Sequence, residues 1–250
     1  MSASPSRVAL VTGASRGLGA AIARVLAGAG MAVAVNGRTR SPEADRVVHD
    51  IRDAGGIAEV FAGDVRNEAA VGSLVADVAA HLGPVDVLVV NATGPQPTIG
   101  IADLTWADLV AQLEFFVKSP TLLVQAVLPG MKERGTGRII NMGSDIVERV
   151  VPRMSAYAAA KAAQLELTRT WARELGPYGI TVNLVAPGWI PVERHAGASA
   201  EALAAYRGDV ALGRMGVPAD VAAVVAFLAS PAAGFITGER LAVNGGHTIA

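Results

Sequence analysis

Short apolar runs alternate with longer segments of helical period along the 250-residue chain. The short runs are apolar at nearly every position, which is typical of strands covered on both faces of a parallel sheet. The alternation predicts one α/β domain over residues 1–250, with a doubly wound parallel sheet of about seven strands and helices on both faces. The predicted strands are Val8–Val11, Ala32–Val35, Ala58–Phe61, Val87–Val90, Arg138–Met142, Thr181–Val185 and Leu241–Val243. The predicted helices are Gly17–Ala29, Glu43–Ala54, Glu68–His81, Trp106–Arg134, Ser155–Leu175 and Pro218–Ala229.

Composition and charge narrow the function classes. The net charge is -1 and neither sign forms a long block, so we expect no nucleic-acid partner. The chain has no cysteine, which excludes disulfides and cysteine-based zinc sites, and its four histidines show no metal-ligand spacing. We find neither a leader pattern nor an apolar segment long enough to cross a membrane, and therefore expect a cytoplasmic protein without a membrane partner.

A glycine-rich turn follows the first predicted strand and opens an alanine-rich helix. Its spacing is G-x-x-x-G-x-G, formed by Gly13, Gly17 and Gly19. Glycines permit a tight turn, and the backbone N–H groups at the helix start can then approach a pyrophosphate. The alternative is an ordinary strand-to-helix turn, but the strand before and the helix after favour dinucleotide binding.

The end of the second strand indicates which dinucleotide is bound. An acid at this point would hydrogen-bond a ribose 2′-hydroxyl and favour NAD, but the strand runs into Asn36, Gly37 and Arg38. Arg38 is placed to meet a 2′-phosphate, and Arg16 of the glycine turn is a second candidate partner. We therefore predict NADP(H), the alternative being that both arginines are solvated surface charges.

Tyr157 and Lys161 stand four residues apart in a predicted helix, so their side chains share one face. A lysine ammonium beside a phenol favours phenolate, which predicts a lowered tyrosine pKa and a usable proton donor or acceptor. Ser144 follows the fifth predicted strand, at the edge of the sheet where ligands bind in such folds. Its hydroxyl is a candidate for orienting a substrate oxygen.

Together these features resemble the short-chain dehydrogenase/reductase family, in particular its 3-oxoacyl-carrier-protein reductase branch, over essentially the whole chain. The resemblance implies a single Rossmann-like domain. The order and spacing of several short motifs carry it, rather than any one of them. They are Thr12–Gly19, Gly63–Val65, Asn91–Gly94, Ser144, Tyr157 with Lys161, Pro187–Gly188 and Val243–Gly246.

The resemblance implies roles for individual residues. Tyr157 would be the general acid in reduction and the base in oxidation, Lys161 would lower its pKa and hold the nicotinamide ribose, and Ser144 would bind the substrate carbonyl. The helices around Trp106–Arg134 and Ser155–Leu175 would form a dimer face in a homo-oligomer, a tetramer or a dimer. The residues implied to contact the cofactor are Gly13, Ser15, Arg16, Gly17, Leu18, Gly19, Arg38, Asp64, Val65, Asn91, Tyr157, Lys161, Pro187, Gly188 and Ile190.

The sequence departs from the family pattern at three points. Phe116 stands 28 residues before Ser144, where the family usually has an asparagine that holds a water of a proton relay, and an aromatic ring makes no strong hydrogen bond to water. Val192 replaces a threonine expected to hold the nicotinamide carboxamide. The usual Asn-Asn-Ala-Gly is altered around Asn91. Either Phe116 alters catalysis, or it is an aromatic residue of the core and another water provides the proton relay.

Two functions remain open from the sequence. One is an NADPH-dependent carbonyl reductase whose substrate loop spans about residues 189–216. The other is a cofactor-binding protein with little turnover that acts as a nucleotide-responsive binding or assembly subunit, favoured by Phe116 and Val192. We expect the substrate to be a small carbonyl compound or alcohol. Basic side chains around the expected mouth of the site would suit an acyl group linked to an acidic carrier. The alternative is that these side chains pair with nearby acids and form only a solvated rim. The rim residues are Arg149, Arg153, Arg194, His195 and Arg214.

Overall fold

Parallel strands form the centre of the protein in a computed structural model that describes residues 7–249. Within this range seven strands pair in the order β3-β2-β1-β4-β5-β6-β7, all parallel. This confirms the predicted doubly wound sheet and the Rossmann-like architecture. Residues 1–6, part of the segment in which we expect no leader, lie outside the described range. The strands are β1 Val8–Val11, β2 Ala32–Gly37, β3 Ile57–Ala62, β4 Val85–Val90, β5 Gly137–Met142, β6 Ile180–Pro187 and β7 Arg240–Val243.

Helices flank both faces of this sheet. Local signals set several of their ends: Ser41 and Asn67 accept hydrogen bonds from the backbone of the first turns of the second and third helices, and Gly135 ends the fifth helix at a φ of 64°. In the described part of the chain the helices are α1 Gly17–Gly28, α2 Pro42–Asp53, α3 Glu68–His81, α4 Trp106–Leu113, α5 Ser119–Arg134, α6 Ile146–Arg149, α7 Ser155–Leu175, α8 Ala200–Asp209 and α9 Pro218–Ala229.

Two apolar cores lie between the sheet and these helices. Helices α1, α2 and α9 pack on one face, around Leu26, Val33 and Val225. Helices α3, α5 and α7 cover the other face, around Leu10, Leu88 and Leu123. Since both faces of the central strands are buried, their side chains are apolar at successive positions, as the sequence pattern predicts.

The structure differs from the predicted helices in two regions. The segment predicted as one helix over Trp106–Arg134 is divided by a π-helical segment, Glu114–Lys118, which connects α4 with α5. Two short helices, α6 and α8, lie in segments where no helix was predicted, because each has only one buried residue, Ile146 and Tyr206 respectively, and so no periodic apolar face. None of the helices described between residues 7 and 249 is both long and apolar enough to cross a membrane.

Candidate active site

The site begins where the strand order reverses, between β1 and β4. The glycine turn after β1 lies here, and Gly13 and Gly17 have φ angles of 62° and 57°, which favour glycine because it has no Cβ. Asn91, at the end of β4, donates through Nδ2 to the Thr12 carbonyl at 2.9 Å and to the Gly13 carbonyl at 3.1 Å. The amide of Asn91 therefore holds the glycine turn in place across the switch point.

The first turn of α1 fits a phosphate group. In the described chain no side chain caps the first N–H groups of this helix, and its first turn contains no acidic residue. The positive end of the helix dipole adds to this preference for an anion. Across the turn, however, Glu193 Oε2 lies 3.3 Å from the place that a Cβ of Gly17 would take, and Val192 lies 3.5 Å from it.

The ends of β2 and β3 form the side of the site that would hold a ribose and adenine. The glycine turn adjoins β2, because Ala14 N donates to the Asn36 carbonyl at 2.8 Å. Arg16 and Arg38 are exposed on these two adjoining loops, and neither forms an ion pair with any residue of the range 7–249. Two unneutralised guanidinium groups at this point suit a 2′-phosphate.

Asp64 and Val65 follow β3 but do not present their side chains equally. Asp64 accepts two hydrogen bonds from the Arg66 guanidinium, at 3.0 Å from Nε and 2.7 Å from Nη2, and a third from Arg66 N at 3.0 Å. These bonds lower the pKa of Asp64 to about 2. The carboxylate is thus charged and held by a neighbour that the sequence reasoning missed. Val65 is buried in the apolar core, so its side chain is turned away from the site.

Ser144 and Tyr157 come together at the carboxyl edge of β5. The Ser144 Oγ accepts from Ile146 N at 3.1 Å, which fixes the turn after the strand. The hydroxyl of Ser144 is also placed to hydrogen-bond the phenol of Tyr157, which is 9% exposed. Burial raises the pKa of Tyr157, and the bond from Ser144 and the positive charge of Arg194 oppose that rise.

The pKa of Tyr157 therefore differs from the sequence prediction, which had Lys161 lowering it. The Lys161 Nζ lies 5.8 Å from the Tyr157 ring centroid and donates instead to the Met142 carbonyl at 2.6 Å and to Gln164 Oε1 at 3.0 Å. Burial in turn lowers the pKa of Lys161 well below its ordinary value. Phe116 packs against both residues, with its ring centroid 5.4 Å from that of Tyr157 and 3.7 Å from Nζ.

The chain after β6 closes the site from the side of β7. The Pro187 carbonyl accepts from Asp145 N at 3.1 Å, and Gly188 N donates to the Val243 carbonyl at 3.1 Å. These bonds tie the segment to the strands on either side of β6. Ile190 is buried in the core with α9, so it anchors the segment that follows β6.

An aromatic cluster lies beyond this segment. Trp189 N donates to the Tyr206 hydroxyl at 2.7 Å, and the two rings meet edge to face at 5.5 Å. The Tyr206 ring also stacks on His247, with 4.4 Å between the ring centroids, and the His247 Nδ1 lies 3.7 Å from a carboxylate oxygen of the buried Asp145. The cluster thus joins α8 and the C-terminal segment to the loop that carries Ser144.

The sequence reasoning missed Arg66, Gln164 and Tyr206. Local signals existed for two of them: Arg66 stands two residues after Asp64, and Gln164 stands three residues after Lys161 on the same helix face. Tyr206 gave no such signal, because its partners Trp189 and His247 are 17 and 41 residues away in sequence.

Fold and site define a nucleotide-binding oxidoreductase, and the comparisons with known proteins agree. A family model described as enoyl-(acyl carrier protein) reductase matches residues 13–248. The chain belongs to the short-chain dehydrogenase/reductase family. This confirms the family predicted from the motifs.

Several relatives align over nearly their whole length. The chain is 39% identical to a cis-4-hydroxycyclohexanecarboxylate dehydrogenase of Sinomonas cyclohexanicum over 242 residues, covering 97% of this chain and 96% of that protein. It is 39% identical to a 3-oxoacyl-(acyl-carrier-protein) reductase of Vibrio cholerae over 242 residues, covering 96% of each. Among solved structures, a gluconate 5-dehydrogenase from Burkholderia cenocepacia in complex with NADP and tartrate has a TM-score of 0.91 and 33% identity, covering 98% of this chain and 96% of that one.

Proposed function

We propose that this protein is an NADP(H)-dependent oxidoreductase that reduces the carbonyl of a small organic or acyl substrate, or oxidises the matching alcohol. The observation that carries the proposal is that the Ser144 hydroxyl and the buried phenol of Tyr157 lie near each other at the carboxyl edge of β5, with Lys161 one helical turn further along α7. The relatives support the reaction class, since they are named as dehydrogenases and reductases.

Tyr157 is the general acid and base of this proposal. In reduction it donates its hydroxyl proton to the carbonyl oxygen, and in oxidation the phenolate removes the alcohol proton. Ser144 orients the reacting oxygen and donates to it while negative charge develops there. When bound, the nicotinamide cofactor supplies or accepts the hydride. Lys161 provides positive charge below the phenol.

The chain's own residues account for cofactor binding as follows. The glycine turn and the start of α1 would hold the pyrophosphate, and Arg16 and Arg38 would hold the 2′-phosphate. The NADP complex of the gluconate 5-dehydrogenase supports the choice of cofactor. The full proposed set is Gly13, Ser15, Arg16, Gly17, Leu18, Gly19, Arg38, Asp64, Val65, Asn91, Tyr157, Lys161, Pro187, Gly188 and Ile190.

The basic rim of the substrate loop is only partly neutralised. Arg149 lies 3.6 Å from Asp145, and Arg214 pairs with Asp220 at 2.7 Å, as the alternative of internal pairing requires. Arg194, by contrast, has no carboxylate within 4 Å in the range 7–249, and its Nε lies 3.1 Å from Nε2 of His195. Its charge acts on Tyr157 and Lys161 and lies near the reacting groups.

An anionic substrate would suit this free guanidinium. The relatives named above act on a cyclohexanecarboxylate, on an acyl group of a carrier protein and on gluconate. We therefore extend the proposal to a carbonyl or hydroxy compound with a carboxylate, or to a carrier-linked acyl group. Turnover of matched anionic and neutral ketones at rising salt tests this, because a surface attraction is screened over roughly 10 Å at 0.1 M ionic strength. Equal turnover of both without salt dependence would remove the anionic requirement.

Replacing Tyr157 with phenylalanine tests the proposed chemistry. Tyr157→Phe removes the proton donor while it keeps the ring and its packing on Phe116, so turnover should fall by about 10²–10⁴-fold. NADPH affinity, measured by fluorescence titration, should stay close to that of the unsubstituted protein. Near-normal turnover of Tyr157→Phe would place the chemistry elsewhere.

The alternative of a cofactor-binding subunit with little turnover has Phe116 and Val192 in its favour. The relatives of this chain do not support that alternative, since they are named as enzymes. A panel of ketones, hydroxy acids and oxoacyl thioesters separates the two functions. Tight NADPH binding without turnover on any member of the panel would favour the subunit.

A further inference from the structure

Helix α7 carries polar side chains into the protein interior below Tyr157. Lys161, Gln164 and Thr168 share one helix face and are 4%, 1% and 0% exposed. Burial of polar groups costs free energy unless they are hydrogen-bonded, and a helix face that packs on a sheet is ordinarily apolar. This polar stripe therefore needs a reason other than packing.

The Lys161 ammonium has three N–H donors, and the described residues provide three partners. Nζ donates to the Met142 carbonyl at 2.6 Å and to Gln164 Oε1 at 3.0 Å. The third partner is the face of the Phe116 ring, 3.7 Å away, which attracts a cation through its quadrupole. Of the two oxygens that hold the ammonium, only that of Gln164 belongs to a side chain and can be removed by substitution.

The helical turn that carries Gln164 is itself tied to β5. The Thr168 Oγ1 donates to the Gln164 carbonyl at 2.9 Å and accepts from Asn141 Nδ2 at 2.9 Å. The backbone around Gln164 is thus held to the same strand whose last residue, Met142, binds Lys161. Rigid support of this kind is what a group needs in order to fix another group's position.

We propose that Gln164 is a positioning residue whose Oε1 holds the Lys161 ammonium against Met142 and the Phe116 ring, so that the positive charge stays below Tyr157. The proposal rests on the proposed function, in which Lys161 supports Tyr157. The proposal also gives Phe116 a role, because its ring is the third partner of the Lys161 ammonium.

The protonation of Lys161 reports on this arrangement. Burial and the positive charge of Arg194 lower the pKa of Lys161. The contacts of Nζ with the two carbonyl oxygens and the ring should favour its charged form. The other titratable group that faces it is Tyr157, on which Asp145 also acts. Removal of the Gln164 oxygen should therefore lower the pKa of Lys161 further.

Lys161 can be observed directly, because the chain has only three lysines, Lys118, Lys132 and Lys161. Protein labelled with ¹³C at the lysine Cε should give three signals, and Lys161→Met identifies the one of interest. We would titrate this signal in Gln164→Met, which keeps the side-chain length and loses the oxygen. Thr168→Ser is the matched control, since it changes the same polar stripe but keeps the hydroxyl that ties the Gln164 turn to β5.

We expect Gln164→Met to lower the titration midpoint of Lys161 by about one pH unit or more, a tenfold change in the protonation equilibrium. The alkaline limb of the kcat/KM profile for reduction should move down with it. Thr168→Ser should leave both in place, and Gln164→Glu, which keeps an oxygen, should return the midpoint to its original value or above.

An unchanged midpoint in Gln164→Met would overturn the proposal, as would a moved midpoint with an unmoved alkaline limb. If Gln164→Met does not fold, Gln164→Asn, which withdraws the oxygen by one methylene, provides the same comparison. Full turnover in Lys161→Met would refute the role of Lys161 in the proposed function, whereas the titration still measures whether Gln164 holds the lysine.

Discussion

Among single side chains, the burial of Tyr157 has the clearest chemical consequence. A phenol that is 9% exposed keeps its proton to a higher pH than a solvated one, because the charged form is poorly solvated there. Its pKa is raised from 10.0, so the neutral form is present throughout the physiological range. The resting protein is thus prepared for proton donation rather than for proton removal.

The two directions of the reaction should therefore depend on pH in opposite ways. Reduction needs the protonated phenol and should be insensitive to Tyr157 up to alkaline pH. Oxidation needs the phenolate, so its rate should rise with pH toward the raised pKa. Initial rates in both directions between pH 6 and about 10 measure this. An oxidation rate that is already constant at pH 7 would mean that the pKa of Tyr157 falls when substrates bind.

The cofactor preference is a second property of individual side chains. Arg38→Gln removes one of the two guanidinium groups proposed to hold the 2′-phosphate, and a charge-assisted contact is worth about 1.5–3 kcal/mol. We expect NADPH binding to weaken accordingly and NADH binding to stay the same. Arg40→Gln is the matched control, because Arg40 is on the same loop but pairs with Asp45 at 2.8 Å. Equal affinities for NADPH and NADH in the unsubstituted protein would contradict the NADP(H) assignment.

Among the secondary-structure elements, β1 and α1 are joined more closely than an ordinary strand and helix. A Cβ on Gly19 would overlap with the Gly13 carbonyl and would lie 2.5 Å from Asn91 Nδ2. The turn therefore needs glycine at this position for close approach, independently of any cofactor. Helix, turn and the end of β4 form one rigid unit, which Asn91 fastens.

Two alanine substitutions in α1 should consequently have opposite effects. Gly19→Ala should destabilise the protein and weaken cofactor binding, since the turn must move to admit the methyl group. Gly28→Ala, at the other end of α1, has free space around its Cβ and should stabilise the protein by about 0.5–1 kcal/mol. Thermal unfolding and NADPH titration of both variants provide the comparison. A stable Gly19→Ala protein with unchanged affinity would show that the turn adapts.

For the molecule as a whole, self-association remains a prediction, and two exposed apolar side chains bear on it. Ile101 and Trp106 are 82% and 72% exposed around the start of α4, one of the helices expected to form a dimer face. Large apolar side chains that cluster on a surface commonly mark an interface. On this ground we expect the start of α4 to contribute to the predicted homo-oligomer.

Sedimentation measurements should show a mass of two or four chains of 25.5 kDa. Trp106→Glu should weaken that assembly, because it places a charge in the expected interface. Ile57→Glu, at an equally apolar and 52% exposed position on the edge strand β3, is the control and should not change it. A monomer at micromolar concentration would contradict the predicted oligomer.

Much of this protein could be predicted from local pattern. Apolar strands, the glycine turn, and the four-residue spacing of Tyr157 and Lys161 depend on neighbours within a few residues, and all seven strands were predicted to within a few residues of their ends. The short helix α8 was not predicted, because its single buried residue, Tyr206, packs against residues that are distant in sequence.

The pKa directions and the partners of the site residues depended on tertiary structure. From the sequence alone Lys161 would be expected to be an ordinary charged lysine, but burial lowers its pKa. Its contacts Met142 and Phe116 are 19 and 45 positions away in sequence. Asn91 meets Gly13 only because the strand order places β4 beside β1. Local sequence sets which conformations and chemical groups are available, whereas solvation and long-range contacts follow from how the whole chain packs.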